Sequence, residues 1–226
     1  MGTDNLFHRK RAKSIKDLAR KNARRSAYAR VLIVCEGKKT EPTYFCELRD
    51  HYSINTANIV VTGECGSDPS SILRHAKLEF RKSQREGNPF DKVFCVFDRD
   101  SHDKFSNTID AIHAQKPQDI FTAVTSIPCF EYWILLHFIF TNKPYTCQRG
   151  NSAANQVMKE LKRYMPDYEK CMPGIFNRLF DQIGQAKAFA VRLEKANERA
   201  GTDNPSTLVH QLVDYLQKLP EQNALN

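Results

Sequence analysis

Residues 92–103, KVFCVFDRDSHD, join an apolar run directly to a group of acids. Residues 93–97 are all apolar and rich in β-branched and aromatic side chains, which is typical of a strand buried on both faces of a parallel sheet. Asp98 and Asp100 follow at once. In an open α/β sheet the carboxyl ends of the strands face the ligand crevice. The segment therefore predicts a functional site at the end of this strand.

The Asp-x-Asp pair at Asp98 and Asp100 has the chemistry of a divalent-cation site. Mg²⁺ is a hard ion that takes oxygen ligands, and it commonly uses about one or two protein carboxylates together with water and substrate phosphate oxygens. Mn²⁺ suits the same ligands. The alternative is a solvated loop in which Asp103 caps the next helix. We interpret Asp103 as such a cap, and Asp98 and Asp100 as metal ligands.

The rest of the chain alternates short apolar strands with helices up to residue 126. We predict strands at 31–35, 57–62, 93–97 and 120–126, and helices that begin near Pro42, Ser70 and Lys104. This alternation predicts an α/β fold with a four-stranded parallel sheet flanked by helices. Beyond residue 129 the pattern is helical, over 130–140, 153–164, 176–197 and 206–218. The expected organisation is a basic arm (1–29), an α/β core (30–128) and a helical C-terminal part packed on the core (129–226).

Glu36 directly follows the first predicted strand. Because parallel strands end at the same edge of a sheet, we expect Glu36 to lie near Asp98 and Asp100 as a metal ligand or general base. Carboxylates gathered there would repel one another unless a cation or a proton neutralised them. The alternative for Glu36 is a turn acid that pairs with Lys38 or Lys39.

Other candidates near these loops each have a structural alternative. Glu131 follows the fourth strand and is either a further metal ligand or a first-turn helix acid favoured by the macrodipole. His102 and His137 are candidates for acid–base work, although we expect His137 to be a hydrogen-bonded core residue. Lys38 and Lys39 either contact phosphate or belong to a solvated turn.

The positive charge is concentrated at the N-terminus. Residues 1–29 hold nine Lys and Arg against two Asp, a net +7 of the total +8. Such an arm is typical of binding to nucleic-acid phosphates, although solubility or an acidic partner would produce the same composition. It has too few apolar residues to fold alone. Besides Lys38 and Lys39, the predicted nucleic-acid-binding residues are Arg9, Arg11, Lys13, Arg20, Arg24 and Arg25.

The seven cysteines are widely scattered and include no Cys-x-x-Cys. This spacing argues against a zinc site and against a disulfide framework, and it indicates a reducing, cytoplasmic compartment. We expect Cys35 and Cys95, which lie in predicted strands, to act as small hydrophobes. No apolar run is long enough to cross a bilayer and the basic N-terminus lacks an apolar core, so we expect neither secretion nor membrane insertion. The chain also lacks the glycine-rich motifs of an ATP site.

Four segments together resemble the RloB-like protein family, namely VLIVCEGKKTEPTYF (31–45), VFCVFDRDSH (93–102), IPCFEYWILLHF (127–138) and NPSTLVHQLVDYL (204–216). The glutamate and Asp-x-Asp on a βα sheet resemble the Toprim fold. The resemblance covers the chain from Arg30 onward and implies that Glu36 is the Toprim glutamate and that Asp98 and Asp100 bind the metal.

The resemblance also implies a function. RloB-like proteins are associated with bacterial restriction and phage-defence loci, often beside an ABC-type or AAA-like ATPase, and Toprim domains cut, join or copy nucleic acid with divalent metal. We therefore expect a nuclease that uses Mg²⁺ or Mn²⁺ on DNA or RNA with an ATPase partner, and a homo-oligomer is left open. A non-catalytic binding or regulatory subunit is the alternative. A phosphatase with Asp98 as nucleophile is disfavoured, because that motif follows the first strand in haloacid-dehalogenase-like families.

Overall fold

A computed structural model describes residues 29–38, 40–56, 59–63, 69–99, 104–148 and 150–224, with side chains described up to residue 219. Several predicted site residues lie outside these ranges, so their roles stay predictions. They are Lys39, Asp100, His102 and Asp103, and the arm residues Arg9, Arg11, Lys13, Arg20, Arg24 and Arg25.

The sheet contains the four predicted strands in a parallel arrangement. They are β1 (Val31–Cys35), β2 (Ile59–Thr62), β3 (Lys92–Asp98) and β4 (Phe121–Ile127), in the spatial order β2-β1-β3-β4. The predicted α/β class is therefore confirmed. The strand count is wrong, because a fifth strand, β5 (Ser206–Thr207), adds to the sheet antiparallel to β4.

The fifth strand lies where a helix start was predicted. Ser206 and Thr207 pair with Ile127 and Ser126, and the Ser126 and Thr207 hydroxyl oxygens are 3.2 Å apart. Just before this strand, the Asn204 side chain binds the backbone of Tyr145, accepting from its N–H at 3.2 Å and donating to its carbonyl at 2.8 Å. Two residues are too few to show the alternating pattern of a strand, so pairing with a distant strand decides this segment.

The helices surround the sheet. In chain order they are α1 (Thr40–His51), α2 (Pro69–Arg85), α3 (Phe105–His113), α4 (Glu131–Leu135), α5 (Ala153–Leu161), α6 (Ile175–Leu179), α7 (Ile183–Ala200) and α8 (Val209–Ala224). A 3₁₀ turn, Phe180–Gln182, interrupts the single helix predicted over 176–197. Within the described ranges, no helix combines the length and the apolar character that a membrane crossing requires.

The side chains of the central strands alternate between two core layers. On β1, Val31, Ile33 and Cys35 pack into the layer that contains α1, α4 and α8, whereas Leu32 and Val34 pack into the layer formed with α2 and α3. All five are fully buried. Burial on both faces explains why the strand sequences are continuously apolar. The sheet thus leaves its carboxyl edge, where β1, β3 and β4 end side by side, as the place where polar side chains collect.

The start of α1 and the cysteines can also be compared with the sequence predictions. The helix predicted to begin near Pro42 begins at Thr40, whose hydroxyl accepts a hydrogen bond from the Cys171 N–H at 3.2 Å. Cys35 and Cys95 are buried as small hydrophobes, as predicted. No disulfide joins any of the described cysteines.

Candidate functional site

Glu36 and Asp98 lie next to each other at the carboxyl edge of the sheet. The pairing of Cys35 with Val96 carries β1 and β3 to the same level, and the Glu36 N–H donates to the Val96 carbonyl at 3.0 Å. The Asp98 N–H in turn donates to Oε2 of Glu36 at 3.0 Å. The first and third predicted strands therefore bring these two acids together through their own backbone pairing.

The Asp98 carboxyl is tied to the end of the neighbouring strand. Its Oδ2 accepts a hydrogen bond from the Phe130 N–H at 3.1 Å, one residue before α4 begins. Burial raises the pKa of Asp98 well above its ordinary value, and the nearby Glu41 and Glu131 raise that pKa further. Asp98 is thus a carboxyl whose negative charge is costly here unless a cation or a proton compensates it.

Glu41 is an acid that the sequence interpretation did not select. It lies in the first turn of α1 and is only 8% exposed. Burial raises its pKa to about 7, with Glu131 and Glu36 contributing, while Lys170 and a backbone hydrogen bond act in the opposite direction. The one available signal was an acid shortly after the first strand, which an ordinary helix N-terminus explains equally well.

Lys170 brings a positive charge to the acids from a helix–helix connection. Its Nζ lies 3.5 Å from Oε1 of Glu131, which is 3% exposed, while the lysine side chain is 64% exposed. The negative charge of Glu131 raises the pKa of Lys170. Tyr168, in the same connection, is fully buried, and its hydroxyl has no hydrogen-bond partner among the described residues. Nothing in the local sequence of this connection indicated a role at the site.

Two glycines permit the close packing of the turn after β1. A Cβ on Gly37 would lie 2.7 Å from Oε2 of Glu41. A Cβ on Gly63, directly after β2, would overlap the carbonyl oxygen of Gly37 and lie 2.9 Å from the Cα of Lys38. The end of β2 therefore supports the turn that carries Glu36.

The four acids Glu36, Glu41, Asp98 and Glu131, hereafter the acidic edge, supply only carboxylate oxygens. Within the described ranges, no group of three or more His, Cys, Asp or Glu side chains is arranged to hold a metal ion. Mg²⁺ commonly needs only about one or two protein carboxylates, with water and phosphate oxygens completing its shell. An oxygen-only donor set is the kind that such a hard cation takes, and among these acids Asp98 and Glu36 lie at adjacent strand ends where they could contribute ligands.

The remaining candidates have different surroundings. His137 is buried, its Nδ1 lies 3.0 Å from the carbonyl oxygen of Trp133, and burial lowers its pKa to about 4. These contacts fit the predicted core role. Lys38 is exposed beside the turn, and its proposed contact with phosphate stays a prediction.

The fold and the acidic edge define an α/β protein with a mostly parallel five-stranded sheet and a cluster of carboxyl groups where the strands end. The family model of the RloB-like proteins matches residues 31–216. The chain belongs to the RloB-like protein family, which confirms the resemblance drawn from its sequence segments. Comparison with curated proteins and with solved structures gives no match.

Proposed function

We propose that this protein is a divalent-metal-dependent nuclease, a phosphodiester hydrolase of the Toprim-like type that works with an ATPase partner in a bacterial anti-phage or restriction-associated system. Membership of the RloB-like family supports the defence context and the partner. The observation that carries the hydrolase proposal is the mutual electrostatic influence of the four acids of the acidic edge, beside which the Lys170 ammonium lies 3.5 Å from Glu131. Carboxyl groups gathered in this way suit a cation and its phosphate ligand.

Asp98 would hold Mg²⁺ or Mn²⁺ together with Asp100 and Glu36, and Glu131 is a further candidate ligand. When bound, the cation would polarise a phosphoryl oxygen and activate a water molecule. The Phe130 N–H orients the Asp98 carboxyl, and the Asp98 N–H orients the Glu36 carboxylate. Glu36 is then positioned as the general base.

Glu41 and Lys170 supply further chemistry for the same reaction. A carboxyl with a pKa of about 7 can hold or release a proton near neutral pH, so Glu41 is suited to donate a proton toward the leaving oxygen. The Lys170 ammonium carries three N–H donors, so it can pair with a phosphate while it stays near Glu131. The arm residues and Lys38 and Lys39 would bind the DNA or RNA backbone.

Replacement of Asp98 by Asn tests this function. The amide oxygen of Asp98→Asn can still accept from the Phe130 N–H, so the variant should fold, but it loses the charge that a cation requires. Loss of an outer-shell partner alone costs about 10–100-fold, so cleavage should fall by more than about 100-fold. Asp110→Asn, an exposed acid on α3, is the matched control. Equal cleavage by both variants, with Mn²⁺ and the ATPase partner present, would contradict the proposal.

The second candidate function is a non-catalytic nucleic-acid-binding or regulatory subunit. The observation that favours it is that the described side chains do not form a metal group with three or more ligands. Titration calorimetry with Mn²⁺ separates the two functions. A nuclease should show Mn²⁺ binding that Asp98→Asn removes and Asp110→Asn keeps, whereas an inert subunit should show no Mn²⁺ binding that depends on Asp98.

A further inference from the structure

Residues 30–226 are nearly neutral in net charge, but their charges are unevenly distributed. Helix α2 carries five Lys and Arg, namely Arg74, Lys77, Arg81, Lys82 and Arg85, against a single acid, Glu79. Its formal charge is therefore +4, while all residues after the N-terminal 29 together sum to about +1. The positive charge of residues 30–226 is thus concentrated on this helix, whose formal charge exceeds the total for these residues.

Four of these cations form a continuous line, hereafter the basic stripe: Arg74, Lys77, Arg81 and Arg85. Their spacings of three, four and four residues place them on one face of a helix with about 3.6 residues per turn. The opposite face is apolar and packs against the sheet through buried side chains, Ile72, Leu73, Ala76 and Phe80. The three arginines of the stripe are exposed and Lys77 is partly exposed.

The side chains of the stripe form no close ion pairs with the described part of the chain. Like charges three or four residues apart destabilise a helix by roughly 0.2–0.5 kcal/mol per pair. A partner with regularly repeated negative charge along the helix would turn this repulsion into attraction.

The surface beside the stripe also contains an apolar side chain. Leu78, which is 61% exposed, lies with Arg74, Lys77 and Arg81 on the same open surface of α2. The stripe extends about 16 Å along the helix axis, at roughly 1.5 Å per residue. A nucleic-acid strand in a duplex carries a phosphate about every 3.4 Å of its axis, so about five phosphates span that length. Arginine, at three of the four positions, binds phosphate in a bidentate way.

The position of α2 connects the stripe to the acidic edge. The helix follows β2, and the Thr62 hydroxyl at the end of that strand lies 3.5 Å from Nε2 of His75. The start of α2 is therefore close to the carboxyl edge, and the stripe leads away from it. The basic arm has a net charge of +7, so like-charge repulsion argues against it as the partner of the stripe.

We propose that the basic stripe on α2 binds the phosphate backbone of a nucleic acid that passes the carboxyl edge of the sheet. This inference rests on the proposed nuclease for the identity of the substrate. Binding to the stripe requires neither the acids nor a cation.

The test is fluorescence anisotropy of the full chain with a labelled duplex DNA and a labelled single-stranded RNA, in EDTA, at several salt concentrations. The stripe variant carries Arg74→Gln, Lys77→Gln, Arg81→Gln and Arg85→Gln. The matched control removes four exposed cations elsewhere, with Lys116→Gln, Lys159→Gln, Lys162→Gln and Arg163→Gln. Circular dichroism checks that both variants fold.

The stripe variant should bind at least one of the two probes at least about 10-fold more weakly than the control near 0.1 M salt. Each lost phosphate contact lowers the salt slope by about 0.9 for duplex DNA and about 0.7 for a single strand, so the slope should fall by about 3. Equal slopes for the two variants would overturn the inference. The inference would also be overturned if the stripe variant lost binding to poly-glutamate but kept its binding to nucleic acid. That result would indicate an acidic protein partner. Stripe-dependent binding without cleavage would instead refute the nuclease and leave the inference standing.

Discussion

The acidic edge and the basic stripe both gather like charges, but they differ in burial. Glu41 and Glu131 are almost completely buried, whereas the arginines of the stripe project into solvent. Burial raises the pKa of Glu41 to about 7. The exposed cations of the stripe keep their hydration and repel one another only weakly. Bringing like charges together therefore costs much more free energy at the acidic edge than on the basic stripe. A bound cation should affect the two regions very differently.

The largest expected effect on stability comes from a substitution that distorts the turn carrying Glu36 without changing any charge. In Gly63→Ala the new Cβ would overlap the Gly37 carbonyl, and backbone atoms cannot move aside as a flexible side chain can. Overpacking of this kind costs about 1–3 kcal/mol or more, and we expect a loss of about 3 kcal/mol in the free energy of unfolding, measured by urea denaturation. Cleavage should fall as well, since the turn carries Glu36.

Gly184→Ala is the control for this substitution. Gly184 lies in α7, and no atom lies within 4 Å of the position that its Cβ would take. An alanine there should stabilise the helix by about 0.5–1 kcal/mol. If Gly63→Ala were as stable as Gly184→Ala, the close approach of β2 to the turn would be wrong.

A middle-sized effect should appear in the pH dependence of stability. The folded-state pKa of Glu41 is raised from 4.5 to about 7, so the folded protein holds a proton there that the unfolded chain has lost. Stability should therefore fall as the pH rises from about 4.5 to about 7. Glu41→Gln removes this loss and should be more stable than the wild type above pH 7 by roughly 1–2 kcal/mol, as measured by urea denaturation between pH 4 and pH 8.

Repeating the same urea denaturation with Mn²⁺ present gives a second test of the acidic edge. By compensating the carboxylates, the ion should stabilise the wild type at pH 8 and shrink its difference from Glu41→Gln. Parallel stability curves for the two proteins across this pH range would show that Glu41 titrates normally and that the acids are not in contact.

The smallest effect should come from the stripe. Arg81→Gln removes repulsion with Lys77 and Arg85, so it should raise the free energy of unfolding by a few tenths of a kcal/mol at low salt and by almost nothing at high salt. Lys82→Gln, on the same helix, loses a favourable neighbour, Glu79, and should give no gain. A loss of stability in Arg81→Gln would indicate that the stripe is compensated within the chain.

Secondary-structure elements could be predicted from the sequence where their apolar residues repeat with a clear period. The four apolar strands and the helix beginning near Ser70 were predicted because burial on one or both faces leaves a recognisable pattern of apolar residues. β5 was not, because two residues carry no period and its strand state depends on pairing with Ser126 and Ile127. Asn204 has the chemistry of a helix cap, yet tertiary contacts with Tyr145 determine its side chain.

Some residues of the candidate site could be predicted from the sequence and others could not. Glu36 and Asp98 were predicted to meet because each directly follows a strand, and the strand order makes β1 and β3 neighbours. Glu41 and Lys170 could not be predicted, since their proximity depends on how α1 and a long helix–helix connection pack above the sheet. Strand ends can be read from sequence, whereas contributions from surrounding elements require three-dimensional packing.

The antiparallel pairing of β5 has a consequence for protein synthesis. Ser126 and Thr207 are separated by 81 residues along the chain. At about 5–20 residues per second, a ribosome needs roughly 4–16 s to add the later strand after the earlier one. During that interval β4 is the outer strand of the nascent sheet, with unpaired backbone groups. Because β4 leads into Phe130 and Glu131, the strand pairing beside these residues is completed only after Thr207 has been synthesised.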